Sequence, residues 1–172
     1  MNEHARQTTA VTHQHDYVAM ILLTALPLVV GGIASFLTSD AMAQFASFRQ
    51  PPLAPPAWLF PVAWTILYVL MGVASYLVYH VHPTTNAQAS TRRAALVVYG
   101  VQLALNFAWS LVFFGARAHW VAFGLLMGMW ALIIALIVLA RKLNRTASGL
   151  LVPYVVWTTF AAYLNLMIAI LN

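Results

Sequence analysis

Five long apolar stretches without Asp, Glu, Lys or Arg most strongly constrain what this chain can fold into. They cover about residues 17–37, 57–80, 94–115, 119–140 and 149–171. A helix needs about 20 mainly apolar residues to cross the hydrocarbon core of a bilayer. We therefore expect an all-α membrane protein, built as a bundle of five transmembrane helices.

Composition excludes several other classes of protein. Only 6% of the 172 residues are charged, whereas a soluble domain carries about 25%. Such a chain cannot cover a water-exposed surface, which excludes an ordinary soluble domain, a disordered chain and a nucleic-acid binder. The absence of cysteine excludes disulfides, thiolate metal sites and a cysteine nucleophile.

The first 16 residues are polar, and we expect a disordered tail over 1–16 before a single membrane domain over 17–172. A signal peptide is disfavoured because the segment has mixed charge and the following apolar run is too long. His4, His13 and His15 could bind a metal. Incidental histidines in a mobile tail are the simpler interpretation, so we predict no metal site.

Basic residues predict the orientation. One side of the bundle is expected to carry Arg6, Arg92, Arg93, Arg141, Lys142 and Arg145, and the other only Arg49 and Arg117. The positive-inside rule then places the N-terminus in the cytoplasm and the C-terminus outside, assuming a bacterial cell membrane. The basic ends are expected to face anionic lipid.

The longest connection, residues 38–56, includes a short amphipathic piece (AMAQFASF) and then a proline-rich stretch, PPLAPP. Four prolines forbid a regular helix and favour a stiff, extended path. A rigid connection of this length could form a lid over one mouth of the bundle. The alternative is a plain linker.

The third span has two distinct faces at helical periodicity. One face carries Gln102, Asn106, Trp109 and Phe113, and should point into the bundle because an amide facing lipid would be unsatisfied. The opposite face carries Gly100, Ala104 and Ala108, which permit close approach of another helix. We favour a homodimer through this face, although Gly124 and Gly128 offer a rival contact and a neighbouring span is a third partner.

Aromatic stripes mark the second and fifth spans, with Phe60, Trp64 and Tyr68 on one and Trp157 and Phe160 on the other. Taken singly, such residues usually fill cores. Together with Asn106 they could line a flat apolar pocket with a few polar handles. No carboxylate, basic residue or histidine lies at membrane depth, which disfavours ion coupling. No conventional hydrolase constellation is apparent.

Three motifs in this order resemble the TspO/MBR family of tryptophan-rich sensory proteins, translocator proteins and peripheral-type benzodiazepine receptors. They are PPAWLFPVAWTILYVLMGVASYLV (55–78), QLALNFAWSLVFFGAR (102–117) and LVPYVVWTTFAAYLN (151–165). The resemblance covers residues 20–172. It implies a five-helix bundle, commonly a homodimer, with a pocket that opens toward the first connection.

The resemblance also implies ligands: porphyrins such as protoporphyrin IX, haem-related tetrapyrroles, sterols in some members, and isoquinoline carboxamides and benzodiazepines. No cofactor beyond such a ligand is implied. Carried over by motif, the pocket would use Trp64, Tyr68, Asn106, Trp109, Trp157 and Ala161. The Trp64 indole N–H and the Asn106 amide would then be handles for a ligand carbonyl or carboxylate.

Two departures from the family pattern affect these expectations. Leu53 stands in the first connection where the family has Trp, so we expect it to be the lid's ligand-binding residue but without an aromatic ring to stack on a porphyrin. No basic residue follows Tyr163, so the cholesterol-recognition pattern of animal members is missing.

Three functions stay open at this stage. The first is a membrane receptor or sensor that binds tetrapyrroles and presents or moves them. The second is a porphyrin-degrading enzyme that needs light and oxygen and uses Trp64 and Trp157, as the resemblance implies for some bacterial members. The third is a passive carrier for porphyrin or sterol.

Overall fold

A computed structural model of the chain describes residues 3–39 and 48–172, with side chains described from Tyr17 onward. All regular secondary structure in that part is helical. The helices are α1 (Glu3–Leu37), α2 (Leu59–Tyr79), α3 (Asn86–Ser110), α4 (His119–Arg141), α5 (Arg145–Leu150) and α6 (Val152–Leu171). Five segments are long and apolar enough to span a membrane. The predicted fold class is therefore confirmed.

The third helix begins earlier than the charge pattern predicted. Thr85 caps its N-terminus, because the Thr85 hydroxyl accepts a hydrogen bond from the Gln88 N–H at 3.2 Å. Arg92 and Arg93 therefore lie on α3 rather than in the second connection. The Arg92 guanidinium donates to the carbonyls of Tyr79 and Val81 at the end of α2.

The fifth span is made of two helices. Asn144 caps α5 by accepting from the Ala147 N–H at 3.0 Å. Pro153 follows the break at Leu151, and its missing N–H fits the first turn of α6, where no intrahelical acceptor is needed. Together α5 and α6 cover Arg145–Leu171.

The spans form a ring. α1 contacts α2, α2 contacts α5, and α5 contacts α4. α4 also contacts α6 and α3, and α3 contacts α1. Because the chain runs along the bundle five times, the start of the first span and the end of the fifth lie at opposite ends of the bundle. Of the five spans, that of α1 is the least buried, with 11% of its residues inside the protein.

α1 also extends to Glu3, before the predicted start of the first span at Tyr17. The side chains of the three N-terminal histidines lie outside the described part of the chain. Residues 40–47 of the first connection, which include most of its amphipathic piece, also lie outside it. The division into a tail and a membrane domain stays a prediction.

Candidate functional site

A cavity of about 390 Å³ lies between α1, α2 and the end of α3, at the end of the bundle that holds the first connection. Cavities of roughly 300–1,000 Å³ are the usual size of small-molecule sites. No charged residue lines it among the described residues. Its lining comprises Leu28, Gly31, Gly32, Ala34, Ser35, Thr38, Ser39, Phe60, Pro61, Trp64, Thr65, Tyr68, Trp109, Ser110 and Phe114.

Aromatic rings form the inner wall of this cavity. Trp64 and Tyr68 are four residues apart on α2, so helical periodicity places them on one face. The centroid of the Trp64 ring lies 5.6 Å from that of Tyr68 and 5.8 Å from that of Trp109 on α3. Three of the predicted ligand-binding residues therefore come together.

A π-helical segment, Leu111–Gly115, continues α3 beside this wall. A wider turn brings residues four and five positions after Trp109 to the same side of the helix. Phe113 stacks on Trp109 at 5.6 Å, and Phe114 meets the same indole edge-on at 6.0 Å. Such segments often occur at functional sites. In a regular α-helix, Phe114 would point well away from this wall.

Glycines let α1 approach the aromatic wall closely. A Cβ at Gly31 would overlap the Tyr68 ring, with ring atoms Cδ2 and Cζ only 2.8 Å away. A Cβ at Gly72 of α2 would lie 2.6 Å from the Cα of Thr24. Gly32, next to Gly31 on the cavity lining, has open space at its Cβ position. These glycines were not predicted to belong to the site, although a Gly-Gly pair inside an apolar span is a visible signal of close approach.

Asn106 lies behind the wall in a buried chain of hydrogen bonds and does not line the cavity. Its Oδ1 accepts from the Tyr68 hydroxyl at 2.7 Å, and its Nδ2 donates to the Tyr154 hydroxyl at 3.3 Å. That hydroxyl donates to Gln102 Oε1 at 2.9 Å, and Gln102 Nε2 contacts the Met71 sulfur at 3.1 Å. The expected inward face of the third span is thus present, but the Asn106 amide is occupied by protein partners.

Trp157 and Ala161 do not line the main cavity. They line a narrow crevice of about 20 Å³ that also borders Trp64 and Trp109. The Trp157 indole N–H is buried and has no hydrogen-bond partner. By contrast, the Trp109 N–H donates to Asn165 Oδ1 at 3.1 Å. The predicted ligand-binding residues are therefore divided between a cavity and a crevice that share two tryptophans.

Leu53 does not line the cavity. It lies in a turn with a backbone φ of 68° and is 80% exposed. Among the described residues of the first connection, Thr38 and Ser39 are the ones on the cavity lining. The predicted lid stays a prediction because residues 40–47 lie outside the described part of the chain.

The second half of that connection is attached to the ends of α4 and α6. The Asn172 side chain pairs with the Arg49 backbone, accepting from its N–H at 2.9 Å and donating to its carbonyl at 3.4 Å. The Tyr163 hydroxyl donates to the Pro52 carbonyl at 2.7 Å. The rings at Phe48 and His119 meet edge-on at 5.0 Å.

The small residues proposed for a dimer contact lie on the outside of the bundle. Gly100 and Ala104 are exposed and Ala108 is half-buried. Gly124 and Gly128 are also exposed on the neighbouring helix α4. Both faces are therefore available for another chain. In the described part of the structure, no cluster of three or more His, Asp or Glu could hold a metal.

Comparisons with known proteins identify the family of the chain. Residues 23–171 match the sequence model of the TspO/MBR family. The tryptophan-rich protein TspO of Chlorobaculum tepidum is 33% identical over 156 residues, which cover 90% of this chain and 96% of that protein. The tryptophan-rich sensory protein of Cereibacter sphaeroides is 37% identical over 121 residues, 70% of this chain and 72% of that protein. The translocator protein of Ovis aries is 33% identical over 150 residues, with 87% of each chain covered.

Proposed function

This chain belongs to the TspO/MBR family of integral membrane proteins, and from that membership and the aromatic cavity we propose that it is a receptor or sensor for porphyrins. The ligand class is protoporphyrin IX and haem-related tetrapyrroles, with other flat apolar molecules such as benzodiazepine-like compounds and sterols as further candidates. A bound ligand would be presented to a partner or moved across the bilayer.

The observation that carries this proposal is the uncharged cavity beside the wall of Trp64, Tyr68 and Trp109. Tilted indole and phenol rings offer large flat faces for stacking on a macrocycle. Hydroxyl groups of Ser35, Thr38 and other residues supply hydrogen-bonding atoms along the lining. A flat apolar ligand with polar substituents matches this combination.

The role of Asn106 in this proposal differs from that expected at first. Because its amide bonds to Tyr68 and Tyr154, it would act on the ligand through the position of the Tyr68 ring. The direct polar handles would then be the lining hydroxyls and the Trp64 indole. Leu53, which is exposed, would contact the ligand only if the first connection folded over the cavity.

Titration with protoporphyrin IX tests the proposal by quenching of tryptophan fluorescence. Gly32→Leu, which adds a side chain in open space at the cavity lining, is expected to weaken binding at least tenfold. Gly124→Leu is the matched control, because it adds the same side chain in open space on the outer surface of α4. Equal affinity in the two variants would place the porphyrin elsewhere.

A second candidate function is degradation of porphyrin under light and oxygen. The supporting observation is that Trp64 borders both the cavity and the crevice that contains Trp157, so an excited ligand would lie beside one indole and near the other. In Trp64→Phe and Trp157→Phe variants, retained binding with lost bleaching of porphyrin absorbance supports the enzyme. Unchanged bleaching in both variants argues against it, and ligand flux into sealed vesicles tests the carrier alternative.

We also propose a homodimer through Gly100, Ala104 and Ala108, in a membrane with the N-terminus in the cytoplasm. The chain has no cysteine, so Gly100→Cys and Gly124→Cys introduce single thiols on the two candidate faces. Disulfide dimers from the first variant alone support this interface, and dimers from the second alone support its rival. Membrane-impermeant thiol reagents at engineered cysteines at the ends of the spans report the orientation.

A further inference from the structure

The end of the bundle opposite the cavity carries three exposed cations on one turn. Arg141 ends α4, Lys142 follows it, and Arg145 begins α5. All three side chains are exposed. We call the segment 141–145 the cationic turn.

The backbone of the cationic turn is held by hydrogen bonds. The N–H groups of Leu143 and Asn144 donate to the Ala140 carbonyl at 2.9 and 2.7 Å. The Asn144 side chain then caps α5 by accepting from the Ala147 N–H. The Leu143 side chain packs against the hydrophobic core. The cations are therefore presented from a fixed backbone, which lowers the entropy lost when they bind an anion.

No Asp or Glu is among the side chains that the structure describes, which begin at Tyr17 and omit residues 40–47. No Asp or Glu occurs between residues 41 and 172. The start of α3, a helix that packs on α4, adds the exposed Arg93.

An apolar track leads along α4 to these cations. Ile134 and Val138 are 36% and 51% exposed. Their spacing of four residues, continued to Lys142, keeps all three on one helix face, with Arg141 beside it. An apolar surface that ends in a group of cations matches an acyl chain that ends in an anionic headgroup.

We propose that the cationic turn and the adjoining face of α4 bind an anionic phospholipid. The phosphodiester headgroup would contact Arg141, Lys142 and Arg145, and an acyl chain would lie along Ile134 and Val138. A lipid fits better than a free phosphate because the apolar track continues directly from the cations. Each basic residue near an anionic surface contributes about 1 kcal/mol.

The test uses a local probe in reconstituted vesicles. Because the chain has no cysteine, Thr146→Cys allows a single fluorophore at an exposed position beside the cationic turn. Quenching by spin-labelled phosphatidylglycerol is compared with quenching by spin-labelled phosphatidylcholine. Phosphatidylglycerol is expected to reach half-quenching at a concentration at least about fivefold lower, because one basic residue at ~1 kcal/mol already represents that factor.

Removing two positive charges at either end of the bundle distinguishes a local lipid site from general attraction of anionic lipid to the protein's net charge. Arg141→Gln with Lys142→Gln leaves Arg145 as the remaining cation and should lower the quenching ratio at position 146 several-fold, whereas Arg141→Lys should preserve it. Arg49→Gln with Arg117→Gln removes the same charge from the opposite end and should leave the ratio unchanged. Equal losses from the two double variants, or no preference in the unchanged cationic turn, would overturn the proposal.

Glycerol phosphate distinguishes a lipid from a soluble phosphate. Added at constant ionic strength, it should leave the preference for phosphatidylglycerol intact, because it lacks an acyl chain. Loss of the preference would refute a lipid site and favour a site for soluble phosphate esters.

Discussion

Replacement of Gly31 by Ala should disturb the cavity wall far more than the same replacement at the next residue. The added methyl at position 31 overlaps the Tyr68 ring, whereas at Gly32 it enters open space. The ring cannot move freely, because its hydroxyl donates to Asn106 at 2.7 Å. Both variants gain the same helix propensity of about 1 kcal/mol, so their difference isolates the steric effect.

The magnitude follows from two contributions. Overpacking in a closely packed site costs about 1–3 kcal/mol, and loss of the Tyr68 hydrogen bond costs about 0.5–1.5 kcal/mol. We expect Gly31→Ala to be about 1.5–4.5 kcal/mol less stable than Gly32→Ala. For a chain of this size, that difference corresponds to a Tm lower by roughly 3–18 °C.

Thermal unfolding in detergent, followed by circular dichroism and tryptophan fluorescence, measures the difference. The same two glycine replacements are also made in a Tyr68→Ala background, which removes the ring that the added methyl overlaps. There, Gly31→Ala should be no less stable than Gly32→Ala. Equal stability of the two alanine variants in the natural background would refute the close contact between α1 and Tyr68. If Gly31→Ala is still less stable than Gly32→Ala in the Tyr68→Ala background, the difference has a cause other than the ring.

Three further predictions concern the buried polar groups and the first connection. Asn106→Leu should lower stability by about 2–4 kcal/mol in chemical unfolding, because two buried hydroxyls lose a partner; a change below about 0.5 kcal/mol would contradict the hydrogen-bond chain. Trp109→Phe should destabilise by about 1–3 kcal/mol more than Trp157→Phe, because only the first indole N–H has a partner to abandon; thermal unfolding of both variants checks the order. Asn172→Ala should speed amide hydrogen exchange around Arg49 while leaving the Tm of the bundle nearly unchanged, because it removes two exposed hydrogen bonds; unaltered exchange would argue against that attachment.

The spans could be predicted because charge and periodicity are local properties of the chain. The inward face of α3 followed from the spacing of Gln102, Asn106, Trp109 and Phe113, and all four are buried. The start of α3 was placed too late because Arg92 and Arg93 were assigned to a loop. A cap at Thr85 and two carbonyl acceptors for Arg92 instead keep these residues on the helix.

The division of the aromatic residues between two spaces could not be predicted from their spacing. It depends on the order of helices in the ring, which places Trp157 of α6 on the lining of the crevice and not on that of the cavity. It also depends on the π-helical segment, which turns Phe114 toward Trp109. Both are long-range or non-standard features that a periodicity of 3.6 residues does not represent. Helical spacing likewise identified Asn106 as inward-facing but not Tyr154 as its partner.

The close contact between Gly72 and Thr24 is a fixed point from which the second half of α1 extends. At 1.5 Å per residue, the helix runs about 20 Å from Thr24 to its end at Leu37, and this arm supplies one side of the cavity. A tilt of about 6° around the contact would displace the end of the arm by about 2 Å. The arm includes Gly31, which packs on the Tyr68 ring. Any tilt that widens the mouth of the cavity by more than a carbon–carbon bond length therefore also separates Gly31 from the aromatic wall, so the packing of one glycine opposes the opening.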